Sequence, residues 1–225
     1  MAALSLVQTS VVAGKAFSAR PSVSRQHVRA PVRVAAAADR QMWLTGAEAP
    51  KHLDGSLPGD FGFDPLGLGT DSERLAWYVE AEKQNGRWAM MAVAGILFTE
   101  ALGFAPKWFN VGAESAGDYP LPGLIAIEAA VMGALENKRL RGFKETGKTG
   151  FLNAYPFDPA GMNSDSMAVK EIKNGRLAMV AFVGFSVQAL VTREGPIANL
   201  TAHMGNPLGE NITTTVLKLP ETLSQ

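Results

Sequence analysis

Two trios of polar residues recur in this chain at the same spacing. Glu82, Asn85 and Arg87 belong to Glu82-Lys-Gln-Asn-Gly-Arg-Trp-Ala-Met-Met-Ala-Val-Ala-Gly95. Glu171, Asn174 and Arg176 belong to Glu171-Ile-Lys-Asn-Gly-Arg-Leu-Ala-Met-Val-Ala-Phe-Val-Gly184. The two segments agree at 8 of 14 positions. On a helix the Glu and the Asn share a face, and the Arg two residues on points elsewhere. The chemistry available to them is ion pairing and the donation of single oxygens. An ionisable side chain at the mouth of an apolar helix needs a partner or a task. Two such helices crossing would set Glu82 against Arg176 and Glu171 against Arg87. No phosphate-cradling glycine loop, nucleophile elbow or triad is present, so no catalysis is read.

Each trio opens into an apolar run, Trp88 to Leu102 and Leu177 to Val191. Asp71 and Ser72 can cap a first helix that starts near Glu73 and ends near Gly103. At 1.5 Å per residue it would be roughly 45 Å long, enough to cross a bilayer with tilt. The small residues Gly86, Ala89, Ala92 and Gly95 recur as Gly175, Ala178, Ala181 and Gly184, which permits close approach of the two helices. That ridge drifts around the helix, so only adjacent members can share one contact. Leu124 to Leu140 reads as a third helix, with Glu128 and Glu136 two turns apart on one face and Arg139 after them. Two unpaired buried glutamates would be prohibitive. Gln188 returns to the face of Asn174, and His203 lies on a short amphipathic segment, Ile197 to Met204. Phe-Asp-Pro loops at 63–65 and 157–159 precede the two repeats. An internal repeat of this kind implies one unit used twice about a pseudo-two-fold axis. After Pro207 the chain reads as irregular. The competing reading is a soluble bundle with solvated charges, but the trios do not follow a polar-face pattern.

The chain has 225 residues, with 47% hydrophobic and 19% charged. These averages conceal membrane spans that carry their own charges. Cysteine is absent, which excludes disulfides, thiol catalysis and zinc-thiolate sites. Residues 1–37 contain no acid but hold Lys15, Arg20, Arg25, Arg29 and Arg33, with several serines, before a run of alanines that ends at Ala38. That composition predicts an organelle transit peptide over 1–37 and a mature domain over 38–225. Without those five bases the balance is 16 against 21 acids, about −5, which argues against nucleic-acid partners. Residues 141–150 are basic (Arg141, Lys144, Lys148), which places that end on the side from which the protein inserts.

From about Trp43 to about Pro207 the chain resembles the light-harvesting chlorophyll a/b-binding proteins of plants and green algae. Both repeats, both Phe-Asp-Pro loops and their order carry the resemblance. It implies an all-α membrane protein with three transmembrane helices, two of them a crossed pseudo-two-fold pair, plus short amphipathic surface helices. It also implies that Glu82, Asn85, Glu136, Glu171, Asn174, Gln188 and His203 are axial ligands to chlorophyll magnesium. Chlorophyll magnesium takes one ligand beyond its ring nitrogens, and isolated hard donors suit it. Arg87, Arg176 and Arg139 would neutralise the glutamates, and Glu128 would reach a magnesium directly or through water. Lys170 and Phe63 join the pigment-binding set, Phe63 in a loop that holds carotenoid end groups. The implied cofactors are chlorophyll a, chlorophyll b, lutein- or xanthophyll-type carotenoids and a bound phospholipid. Val32-Arg-Val-Ala-Ala resembles an algal chloroplast processing site.

Within that family, Gly55-Ser-Leu-Pro-Gly-Asp-Phe-Gly-Phe-Asp-Pro-Leu66 resembles photosystem I antenna members. Asn85 points the same way, since most relatives carry His there. The expected role is excitation transfer to photosystem I from the chloroplast thylakoid membrane. The implied partners are the photosystem I core, neighbouring antenna proteins and thylakoid lipid. Alternatives within the family are a minor photosystem II antenna and a stress-type quencher. From another class comes a proton-coupled transporter using intramembrane carboxylates, which the repeated Arg pairing and the lack of broken helices disfavour.

Overall fold

A computed structural model describes residues 41–218 apart from 106, 115, 116, 118, 119 and 152. The expected transit peptide over 1–37 lies outside the described residues. Among the described residues six helices follow one another: α1 (Ser72–Ala101), α2 (Val111–Glu114), α3 (Leu121–Thr146), α4 (Asp165–Thr192), α5 (Pro196–Gly205) and α6 (Ile212–Leu217). Among the described residues the only β-type pairing is an isolated bridge between Phe151 and Ala154.

The helix ends follow local chemistry. The Asp71 side chain accepts from Glu73 N at 3.0 Å and starts α1 where the capping signal predicts. Ser164 Oγ does the same for α4 through Met167 N. α3 runs longer than the expected Leu124–Leu140. Between 141 and 146 only Gly142 weakens the helix and no proline stops it, so the helix persists to a left-handed cap at Gly147. α6 corrects the expectation that the chain is irregular after Pro207. Asn211 and Thr214 form a reciprocal capping box that a hydropathy reading does not detect.

α1 and α4 cross, and the crossing point is Gly86 on Gly175. A Cβ at Gly86 would lie 3.0 Å from the Cα of Gly175, and one at Gly175 would lie 3.1 Å from the Cα of Gly86. The near-equality of the two distances is the local two-fold relation. Ala89 and Ala178, one turn on, are buried beside the crossing, whereas Gly95 and Gly184 face open space. The small-residue ridge therefore serves only near its start, as its drift predicts.

Outside this seam little is buried. Among the described residues the buried alanines and isoleucines are Ala89, Ile96, Ile172, Ala178 and Ala189, all on α1 and α4. Large apolar side chains such as Phe98, Leu177, Val180 and Val183 stand exposed on the same helices. Helices that are apolar all round and packed on only one stripe are suited to a non-aqueous surrounding. By length and composition alone, however, only α4 among the described helices qualifies as a membrane span. α1 contains Glu80, Glu82, Lys83, Arg87 and Glu100, and α3 contains Glu128, Glu136, Lys138 and Arg139. Those charges lower the mean hydropathy of helices whose lengths, about 45 and about 39 Å, are otherwise sufficient.

α5 packs against both α1 and α4, and α6 against α4. α3 has no comparable packing on the crossed pair among the described residues. It meets α1 near one end, where the Trp77 and Phe143 rings lie 6.5 Å apart and Arg139 reaches Glu80.

Candidate functional site

The crossing brings the two trios together as the repeat predicts. Arg176 Nε donates to Glu82 Oε1 at 2.7 Å, and Arg87 Nε donates to Glu171 Oε1 at 2.6 Å. Each pair is half-buried and locally neutral. In both, the second carboxylate oxygen has no partner among the described residues. Arg176 also donates Nη1 to the carbonyl of Gly59 at 2.7 Å, which ties the glycine-rich loop to α4. Gly59 has φ +75°, and a Cβ there would collide with Ile172, so the loop can sit this close only through glycine.

Asn85 and Asn174 are exposed and use the same local device. Asn85 Nδ2 donates to Ala81 O, and Asn174 Nδ2 donates to Lys170 O, both at 2.9 Å. With the amide nitrogen satisfied by its own helix, each Oδ1 is turned outward as a free acceptor. Lys170 is thus met through its backbone, and its side chain is exposed.

On α3 the expected Glu136–Arg139 pair forms, with Nε and Nη2 of Arg139 both on Glu136 Oε2 at 2.8 and 2.7 Å. Arg139 also donates Nη1 to Glu80 Oε1 at 2.7 Å. Glu80 Oε2 accepts from Thr149 Oγ1 at 2.6 Å. Glu80 was not singled out by the sequence. Two residues before Glu82, it looks like one more helical surface charge, and its partner lies on a different helix. Glu128 stands exposed on α3 with no hydrogen bond or ion pair among the described residues.

Gln188 is exposed on α4, with no side-chain partner among the described residues. His203 on α5 is exposed, and its Nδ1 lies 2.6 Å from the carbonyl of Glu210. A carbonyl only accepts, so Nδ1 carries the proton and Nε2 keeps its lone pair for a metal. Glu100, also missed by the sequence, accepts from the backbone of Ile197 and Ala198 and so anchors the start of α5. Among the described residues no three His, Asp or Glu side chains cluster as they would around a bare ion.

The Phe-Asp-Pro loops repeat in structure as well as sequence. Asp64 accepts from the backbone of Leu68 and Gly69, and Asp158 from that of Met162 and Asn163, at the same offsets of four and five. The Gly69 N–H above all, with the nearby His52, holds the Asp64 carboxyl below the usual carboxylate range, against some opposing desolvation. These aspartates build their loops. Phe63 is 60% exposed and packs edge-on against Trp43, with centroids 5.0 Å apart.

Two spaces adjoin these groups. A groove of about 1440 Å³ runs beside the crossing between α1 and α4, lined by Met90, Val93, Leu97, Leu177 and Ala181 with Glu171 and Asn174. A second, of about 490 Å³, separates α1 from α3, with Trp88 on one side and Met132, Leu135 and Glu136 on the other. Both have largely apolar walls that also carry charged and polar side chains, Glu80, Lys83 and Arg87 in the first and Gln84, Arg87 and Arg139 in the second.

The family model described as chlorophyll A-B binding protein matches residues 49–190. Photosystem I chlorophyll a/b-binding protein 5 of Arabidopsis thaliana is 41% identical, over 80% of this chain and 82% of its own. Photosystem I chlorophyll a/b-binding protein 6 of the same plant is 40% identical over 75% and 72%. Its photosystem I chlorophyll a/b-binding protein 3-1 is 35% identical over 96% and 99%. All three bear the designation chloroplastic.

Proposed function

Since this chain belongs to the chlorophyll a/b-binding protein family, we propose that it is a light-harvesting antenna protein that holds chlorophyll a, chlorophyll b and carotenoids and serves photosystem I. When bound, the pigments supply light absorption and the passage of excitation between neighbours. The polypeptide supplies ligands, spacing and a dry setting.

One observation carries this reading. In each crossed ion pair the arginine takes one carboxylate oxygen and leaves the other without a partner among the described residues, and Glu171 with Arg87 lines the groove beside the crossing. A free carboxylate oxygen there is costly unless a cation accepts it, and the paired arginine balances the charge. Magnesium is hard enough to prefer such an oxygen, and a macrocycle that occupies its other positions asks for only one. The fit extends to the outward Oδ1 of Asn85 and Asn174, to the free oxygen of Glu136, to Gln188, and to Nε2 of His203. Glu128 is a further donor, reached directly or through water. Arg87, Arg176 and Arg139 serve as the balancing cations.

The groove beside the crossing is assigned to a lutein- or xanthophyll-type carotenoid, with Phe63 as a contact at a loop end. Lys170, a cation at the mouth of α4, is assigned to a phospholipid headgroup. α1, α3 and α4 are taken as three membrane spans, with α5 lying at a membrane surface, in the thylakoid. Residues 1–37 are taken as the transit peptide that brings the chain there. The photosystem I core and neighbouring antenna proteins are the proposed partners.

Visible absorption of the protein purified in mild detergent, with extraction and counting of its pigments, tests the proposal. Chlorophyll bands and several chlorophylls per polypeptide are expected. A colourless, monodisperse protein would overturn the proposal and favour a carrier that uses the same carboxylates for protons.

A further inference from the structure

Resting on the reading of Glu136 as a magnesium ligand, we infer that Glu80 is a positioning residue for that site, a buried carboxylate that holds Arg139 so that one oxygen of Glu136 stays free. Arg139 lies three residues from Glu136 on the same helix, and nothing in that local geometry stops the two from closing as a fork. A guanidinium frequently engages both oxygens of a carboxylate. Here it does not. Nε and Nη2 both meet Oε2 of Glu136, Nη1 is drawn away to Glu80 Oε1, and Oε1 of Glu136 has no partner among the described residues.

One of the two crossed pairs shows the same principle with a different second acceptor. Arg176 spends its Nη1 on the carbonyl of Gly59 and reaches Glu82 through Nε alone. At Arg139 no backbone carbonyl fills that place, and Glu80 does. The choice is expensive, because Glu80 is only 3% exposed and Arg139 16%, while Glu136 is 39% exposed. One arginine between two glutamates leaves an excess negative charge that the crossed pairs avoid. Burying a charge in excess of its partners is unfavourable unless hydrogen bonds and an outside cation compensate. The Thr149 hydroxyl supplies one such bond, on Glu80 Oε2. A magnesium on the free oxygen of Glu136 supplies the cation.

The test compares Glu136→Leu, Glu80→Gln and the double variant in the pigment-loaded full chain. Chlorophylls are counted per polypeptide, and difference spectra are taken in the red band. Glu136→Leu is expected to lose one chlorophyll. Glu80→Gln is expected to lose the same one, with the same difference band, and the double variant to lose no more. If Glu136→Leu loses one while Glu80→Gln keeps them all or loses a different one, the positioning role is overturned and the ligand reading stands. A double variant that loses two overturns it equally. If Glu136→Leu loses none, the ligand reading itself falls and this inference with it. Should Glu80→Gln fail to assemble, Thr149→Val decides, since it removes one hydrogen bond from Glu80 and no charge. It should lower the temperature at which that one chlorophyll is released and leave the others alone. No shift, or an equal shift for all pigments, overturns the role.

Discussion

On the proposed reading, Asn85 is an amide that sets a pigment's surroundings. Its nitrogen is committed to Ala81 O, so its oxygen is the atom offered outward. An imidazole at this position would offer a stronger, nitrogen ligand at a different reach. On the proposed reading, Asn85→His should keep the pigment but shift low-temperature fluorescence to the blue. Asn174→His, which alters the same device on the other helix, should not. An unmoved emission maximum in Asn85→His would show that the amide does not set the emitting energy. The ion pairs make a second prediction at this scale. Arg176→Leu strands Glu82, whereas Arg176→Gln with Glu82→Gln removes both charges. The single change should therefore be the more damaging. Its cost has an upper bound of about 3–5 kcal/mol, the penalty for breaking a buried pair, because both side chains retain some exposure. Equal thermal midpoints and refolding yields for the two variants would count against mutual stabilisation. These pairs were legible in the sequence because the trio is repeated and each copy lacks a local partner. Glu80 was not legible, because a lone Glu carries no sign that its arginine lies 59 residues away.

Among the helices, the starts were easier to foresee than the ends. Asp71 and Ser164 announce α1 and α4 by a side chain that must accept a backbone N–H, which is a local fact. The end of α3 at Gly147 depends on the left-handed cap and on the second Phe-Asp-Pro loop, where Tyr155 donates its hydroxyl to the carbonyl of Lys138. The crossing itself was half legible. The repeated small residues named the face, and only the structure shows that Gly86 and Gly175 bear the contact while Gly95 and Gly184 do not. This contrast gives a prediction internal to one helix. Alanine is favoured over glycine in a helix by about 1 kcal/mol, so Gly95→Ala, which meets nothing within 4 Å, should stabilise the protein or leave it unchanged. Gly86→Ala gains the same propensity but drives a methyl against the Gly175 backbone, so it should destabilise. Thermal denaturation of the two variants decides. A Gly86→Ala protein as stable as Gly95→Ala would mean that the helices can part freely at the crossing.

At the scale of the whole molecule, the helical class was legible, and hydropathy singles out only α4 among the described helices because charged residues sit inside α1 and α3. The proposed transit peptide also belongs to this scale. An intact mass of the membrane-isolated protein should place the mature N-terminus between about residues 33 and 40, where the acid-free basic stretch gives out. A retained Met1 would remove that proposal. The way α3 is attached has a further consequence. It is clasped to α1 at one end by Glu80, Arg139 and the Trp77–Phe143 contact, and a space lined by Trp88 and Met132 separates them beyond. A rod pinned at one end is a lever, and the position of its free end is set by whatever is wedged beneath it. On the proposed reading, pigment in that space would complete the seating of α3, and a chain without it would present a looser arm to proteases. The abundance of this protein in its membrane would be governed by the supply of pigment more than by the rate of its synthesis.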